Sequence, residues 1–320
     1  MLKKGDINIM NEESYKVGYV AIIGKPNVGK SSLINKLIGE SIAITTPKPQ
    51  TTRFNIKGIR TTKTSQLIFV DTPGIHLGQN KLTKYMMSGV ENISKEADLV
   101  LFLIDATKPR LDDINKKMLE ELVNLKKKII LVINKIDKIK KENLLNIITE
   151  YNNYILEKNY NYLEIIPIST YKLDGIELLV SKIEENIPVG EKLFSEDEFT
   201  DMTEREIVEE IIREKLLNNL EEEVPHGIFV QVNEFKTKLN KNLEEVYNIE
   251  VDIICEKMSH KGIVIGKEGK MINLIKKISK ESIERVLQTK INLKFWVKVR
   301  QDWQKQENYL QNIKQRANYK

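Results

Sequence analysis

The run Gly24-Lys25-Pro26-Asn27-Val28-Gly29-Lys30-Ser31 has the spacing G-x-x-x-x-G-K-S, which brings together the residue types a polyphosphate needs. Glycines let backbone N–H groups converge on the phosphates. Lys30 offsets charge on the β and γ groups, and a helix starting near Lys30 aims its positive end at them. The Ser31 hydroxyl is a ligand for Mg²⁺. Forty-one residues beyond Lys30, Asp71-Thr72-Pro73-Gly74 closes the apolar run Leu67 to Val70. There Asp71 can hold Mg²⁺ directly or through water, and the Gly74 amide can sense the γ-phosphate. Either motif alone is a glycine turn; in this order, each behind an apolar run, they describe one triphosphate site.

Asn134-Lys135-Ile136-Asp137 follows the apolar run Ile129 to Ile133, so its side chains leave the carboxyl edge of a sheet, where open α/β folds bind ligands. The Asp137 carboxylate can accept from guanine N1–H and its 2-amino group, a charge-assisted pair. Adenine offers neither donor, and a carboxylate left unpaired costs several kcal/mol. The pattern therefore selects GTP and argues against an ATP-using enzyme. Asn134 braces the loops and the Lys135 stem covers the base.

These groups need a scaffold, and the alternation of apolar and amphipathic segments supplies one. Strand-like runs at 19–23, 66–70, 99–104, 129–133 and 164–168 alternate with helical stretches near 31–37, 82–95, 112–125, 141–156 and 175–186. This predicts an α/β domain with a parallel sheet covered by helices on both faces. A further strand, 55–60, reaches Gln66 through a short polar turn and predicts an antiparallel edge hairpin. Residues 1–16 form a polar tail and 17–190 the nucleotide domain. The break Ile187-Pro188-Val189-Gly190 ends that domain, 191–203 reads as an acidic linker, and 204–320 as a second domain.

The second domain begins with an amphipathic helix, 204–220, then strands at 228–235 and 249–255. Lys261 is followed by Gly262-Ile263-Val264-Ile265-Gly266-Lys267-Glu268-Gly269-Lys270, a G-x-x-G turn after a β-branched run and before a basic helix, 270–287. A last strand spans 291–299. This is the arrangement of an α+β KH domain, whose loop clamps the backbone of about four single-stranded nucleotides. Lys261, Lys267 and Lys270 supply counter-charge, while Glu268 puts an acid inside the clamp. Trp296 and Trp303 could stack on bases, although aromatics in such positions usually belong to a core.

Charge distribution agrees. The chain carries a formal net charge of +5 over 320 residues, but residues 191–223 hold 13 acids against 4 bases and residues 256–320 hold 16 bases against 6 acids. A polyanionic partner at the carboxyl end is implied, either RNA or, as a rival, an acidic lipid surface. No apolar run approaches the length of a membrane span, and 1–16 lacks the apolar stretch of a secretory signal, so the expected address is cytoplasmic. A single cysteine, Cys255, and three scattered histidines support neither disulfides nor zinc. Cys255, in an apolar alternation, reads as a buried thiol.

The segments Gly24 to Ser32, Pro49-Gln50-Thr51-Thr52-Arg53, Asp71 to His76, Asn134 to Asp137 and Ser169-Thr170 resemble the Era family of bacterial ribosome-assembly GTPases, across essentially the whole chain. The resemblance implies a Ras-like P-loop domain with a mostly parallel six-stranded sheet, followed by a type II KH domain. It adds Ser32, Ser169 and Thr170 to the nucleotide contacts and makes 49–53 the first switch, where Thr51 or Thr52 completes the Mg²⁺ shell. Lys30, Thr51, Thr52 and Gly74 then form the catalytic set, with K⁺ at Asn27. A glutamine orients the attacking water in Ras-type enzymes, but Ile75 stands at that position, so slow intrinsic turnover is expected. His76 reads as an exposed loop histidine. The implied partner is the 3′ end of 16S ribosomal RNA during 30S subunit assembly and maturation, bound by a monomer with peripheral contact to the inner face of the cell membrane.

Overall fold

The computed structural model describes residues 14–40, 42–46, 56–71, 96–108, 111–160, 164–220, 227–239, 242–303 and 306. Six strands, β1 (Lys16–Gly24), β2 (Ile56–Thr61), β3 (Ser65–Asp71), β4 (Leu99–Asp105), β5 (Lys128–Asn134) and β6 (Glu164–Pro167), form one sheet in the order β2-β3-β1-β4-β5-β6. All neighbours are parallel except the β2/β3 edge pair, which is antiparallel. The continuous apolar runs of β3 and β4 are buried at every residue, as strands covered on both faces require. Alternate residues of β1 feed two cores. Val20 and Ile22 pack with Leu33 and Leu37 of α1 (Lys30–Ile38) and with Leu179 and Ile183 of α4 (Ile176–Asn186). Ala21 and Ile23 pack with Leu119 of α2 (Asp113–Asn124) and Tyr151 of α3 (Lys141–Glu157). The helix expected at 82–95 lies outside the described residues.

The second domain opens with α5 (Glu204–Asn219), started by a reciprocal capping box between Thr203 and Glu206. β7 (Ile228–Leu239) and β8 (Glu245–Cys255) pair antiparallel, and β9 (Lys290–Val299) lies parallel to β8. Between β8 and β9 come α6 (Met258–Ile265) and α7 (Lys270–Leu287). Val208 and Ile212 of α5 and Ile275 and Ile283 of α7 share a core with Val251, Ile253 and Ile291.

One local expectation needs correction, at both strands of the hairpin. β7 and β8 each run four residues further into their hairpin than hydrophobicity indicates, because the distal part of β7 is exposed and leaves no apolar alternation. The β-branched run Ile263 to Ile265 is helical. β-Branching costs a helix only a few tenths of a kcal/mol per residue, and burial of Val264 in the core outweighs it.

Residues 191–203 are not a free connection. Their backbone and side chains bond to β2 and to Gln66 of β3.

Candidate functional site

The loop from β1 to α1 turns on Gly24 and on Gly29, which has φ 105° and meets the Asn134 side chain. A Cβ at Gly29 would overlap that amide, so glycine is required on two counts. Lys30 is buried, and its ammonium donates to the carbonyls of Gly24 (3.1 Å) and Lys25 (3.0 Å), both in its own loop. Burial pulls its pKa down to about 8, against the opposing pull of Asp71. Such an ammonium gains most from an anion placed beside it, at the amino end of α1. The Ser31 hydroxyl donates to Asp71 Oδ2 at 2.8 Å. One hydroxyl and one carboxylate, adjacent at the phosphate end, suit a hard cation that keeps several of its waters.

At the other end, Asn134 is fully buried and staples three loops. Its Nδ2 donates to Val28 O (2.9 Å), and its Oδ1 accepts from Lys135 N (2.8 Å) and Thr170 N (3.2 Å). Lys135, at φ 67°, donates from Nζ to Asn27 O and to Asp105 Oδ2, both 2.6 Å. The Ser169 hydroxyl donates to Asp137 Oδ1 at 2.6 Å and accepts from Lys172 N. Pro26 and Ser32 sit in the same loop and first helical turn and are half-buried. Lys25 pairs with Asp112, the N-cap of α2. Thr51, Thr52, Thr72, Pro73 and Gly74 lie outside the described residues.

Asp105 is a member that sequence reasoning missed. Burial works to raise its carboxyl, but hydrogen bonds from Lys135 and Thr107 outweigh this and hold it below the usual range. Its signal was available, since it ends the apolar run of β4 at the same sheet edge as Asn134, its partner in register.

In the second domain, Gly266 (φ 72°), Glu268 (φ 54°) and Gly269 (φ 74°) shape the turn into α7. A Cβ at Gly266 would lie 2.6 Å from that of Met271. Lys267, Glu268 and Lys270 are exposed, with Glu268 3.5 Å from Lys270. Gly262 is exposed, and Lys261 and Ile265 are half-buried. Trp303 is core: its ring packs on Phe229 and its Nε1 donates to Gly227 O. Trp296 is exposed, with its ring under Lys294 and its Nε1 donating to Glu250. Cys255 is buried, which raises its thiol to about 11.

Fold and site together define a Ras-like P-loop GTPase joined to a KH domain. Residues 19–135 match the family described as 50S ribosome-binding GTPase, and residues 223–304 match the KH domain family. GTPase Era of Ruminiclostridium cellulolyticum is 46% identical over 95% of this chain and 99% of its own. GTPase Era of Clostridioides difficile is 40% identical over 93% and 98%. Among solved structures, a tyrosine-to-alanine variant of Aquifex aeolicus Era bound to GDP·AlF₄⁻ superposes with a TM-score of 0.87 at 39% identity, covering 92% of this chain and 98% of that one. Era in complex with MgGDPNP and nucleotides 1506–1542 of 16S ribosomal RNA does so with 0.87 at 38% identity, covering 93% and 98%. The chain belongs to the Era family of GTPases. No helix among the described residues is long and apolar enough to cross a membrane.

Proposed function

We propose that this GTPase binds the 3′ end of small-subunit ribosomal RNA through its KH domain and uses GTP binding and hydrolysis to time that contact during 30S maturation. The observation that carries the nucleotide half is the Ser169–Asp137 hydrogen bond beside the Asn134 staple. It holds a carboxylate at the sheet edge, where guanine supplies two donors. Lys30 and the backbone of 24–32 take the triphosphate, and Ser31 and Asp71 fit Mg²⁺, which when bound neutralises charge between the β- and γ-phosphates. Asp71 orients Ser31, and Lys135 ties Asn27 to Asp105 across the base side. The first switch is assigned by resemblance to 49–53, with Thr51 or Thr52 toward the metal and the Gly74 amide toward the γ-phosphate.

The RNA half is supported by the Gly266–Gly269 loop heading a basic helix and by the complex of the Era relative with a 16S fragment. K⁺ at Asn27, a monomeric state, a cytoplasmic address and peripheral contact with the membrane complete the reading.

The deciding experiment is a titration of the full chain with a small-subunit 3′-end RNA fragment, with nucleotide and salt varied and a protein truncated after Gly190 as control. Tight, salt-dependent binding that vanishes on truncation is expected. Equal binding by the truncated protein, or binding to anionic vesicles that competes with the RNA and tracks total charge alone, overturns it. Replacing Na⁺ by K⁺ should raise the hydrolysis rate; an unchanged rate removes K⁺ from Asn27.

A further inference from the structure

The acidic stretch before α5 is built onto the nucleotide domain at the free edge of its sheet. Gln66 of β3 is fully buried and spends its side-chain amide on that stretch. Its Oε1 accepts from Leu193 N (2.8 Å) and Phe194 N (3.0 Å), and its Nε2 donates to Phe194 O (2.8 Å) and Thr61 Oγ1 (3.0 Å). A buried amide with all these bonds made fixes its partners, because breaking any one leaves a polar group unsatisfied.

Further along, Ile59 N of β2 donates to Phe199 O at 2.9 Å, Thr200 bridges Gly58, and the Thr200 hydroxyl donates to Lys57 O at 2.8 Å. Lys57 pairs with Asp201 at 3.2 Å. Residues 199–201 therefore extend the edge of the sheet beyond β2.

The chain has no slack between this edge and α5. Met202 packs against the core of the nucleotide domain and against the core of the second domain. Thr203 then caps α5. Only two residues separate the ion pair at Asp201 from the first residue of the helix, so α5 cannot turn without moving Phe199 to Asp201. α5 in turn packs on α7, whose first residue comes directly after the Gly266–Gly269 loop.

The other end of this path reaches the phosphate site. β2 is antiparallel to β3, and Ile56, next to Lys57, is in register with Asp71, the carboxylate that receives Ser31. Strain at the start of β2 is thus felt within one residue of the strap and within one backbone pair of the metal-side carboxylate.

We infer that residues 193–201, latched by Gln66, are the coupling element of this protein, with Gln66 a positioning residue that links nucleotide state to the grip of the clamp loop. The inference rests on the RNA-binding reading above and specifies how that binding is regulated. Coupling between two sites is reciprocal, so nucleotide and RNA must shift each other's affinity by the same factor, typically about 5- to 150-fold.

The test is a thermodynamic cycle on the full chain. The affinity for the 3′-end RNA fragment is measured with GDP and with a non-hydrolysable GTP analogue, for wild type and for Gln66→Ala and Thr200→Val. The wild type should show a ratio in that range. In Gln66→Ala the ratio should fall to about 1, with GTP-analogue affinity little changed, since Gln66 is distant along β3 from Asp71. A merely structural role would lower stability and leave the ratio standing, which would overturn the inference, as would a wild-type ratio of 1. Failure of the wild type to bind RNA at all would instead sink the RNA-binding reading, and this inference with it. Should Gln66→Ala not fold, hydrogen exchange on the wild type decides. The amides of Ile59, Leu193 and Phe194 should exchange at different rates in the two nucleotide states, and equal rates count against the coupling.

Discussion

Ser169 and Asp137 are joined by a 2.6 Å hydrogen bond between loops that lie 32 residues apart in the chain. The carboxylate proposed to read the base is thereby held by a hydroxyl that itself caps the turn at Lys172. Ser169→Ala should weaken GTP binding by about 0.5–1.5 kcal/mol, the net worth of such a bond, while leaving the preference for guanine intact. Asp137→Asn should instead reverse the preference toward xanthine nucleotides, whose edge presents an acceptor where guanine presents its amino group. Calorimetry with both nucleotides checks the pair; unchanged guanine preference in Asp137→Asn would remove this residue from the base pocket.

Lys30 ties pH to binding. Its pKa in the free protein is about 8, below the ordinary lysine value of 10.5, because of burial. Phosphates beside it favour the charged form and push the pKa back up. Binding should therefore take up a proton at pH values above about 8 and exchange none near pH 6, where both states already hold it. Titration calorimetry near pH 8.5, just above that pKa, in buffers of different ionisation enthalpy measures this uptake directly. The same shift has a stability consequence. The unfolded chain holds the proton up to its higher pKa, so the burial cost is present in full below about pH 8 and eases as pH rises toward 10.

Gly29→Ala should abolish nucleotide binding. The position combines a left-handed φ of 105° with direct contact on the Asn134 amide. Asn134→Ala is the milder probe. It frees Val28 O, Lys135 N and Thr170 N from their shared staple and should cost about 2–4 kcal/mol in nucleotide affinity, since each unsatisfied group costs about 1–3. Fluorescent-nucleotide binding separates the two variants.

In the clamp loop, Lys267→Gln should lower RNA affinity and reduce the slope of log K against log salt by about one, as expected when one fewer phosphate is neutralised. Glu268→Lys should move both quantities the other way. Filter binding across a salt series provides the check, and an unmoved slope in both variants places the RNA elsewhere.

Arg213 and Glu210 form a buried ion pair at 3.1 Å inside α5. Arg213→Met should destabilise the second domain by about 3–5 kcal/mol, because it strands a buried carboxylate. Denaturant unfolding of the full chain should show an earlier transition for that domain, with nucleotide binding retained.

Much of this protein is local chemistry and was therefore readable along the chain. Gly24 to Lys30 forms the glycine turn into α1, continuous apolar runs mark strands buried on both faces, and a glycine turn leads into the basic helix α7. What the chain order could not reveal depends on atoms brought together from afar. Asp105 meets Lys135 only because β4 and β5 are neighbours in register. The stretch 191–203, an acidic connection by composition, is fastened to the sheet because Gln66, 127 residues from Leu193, turns its amide toward it and because Phe199 and Thr200 bond along β2. Ile263 to Ile265 is helical because a core waits for Val264. Propensity and spacing act over a few residues, whereas hydrogen bonds and packing across the sheet are settled only when the strands have found their order.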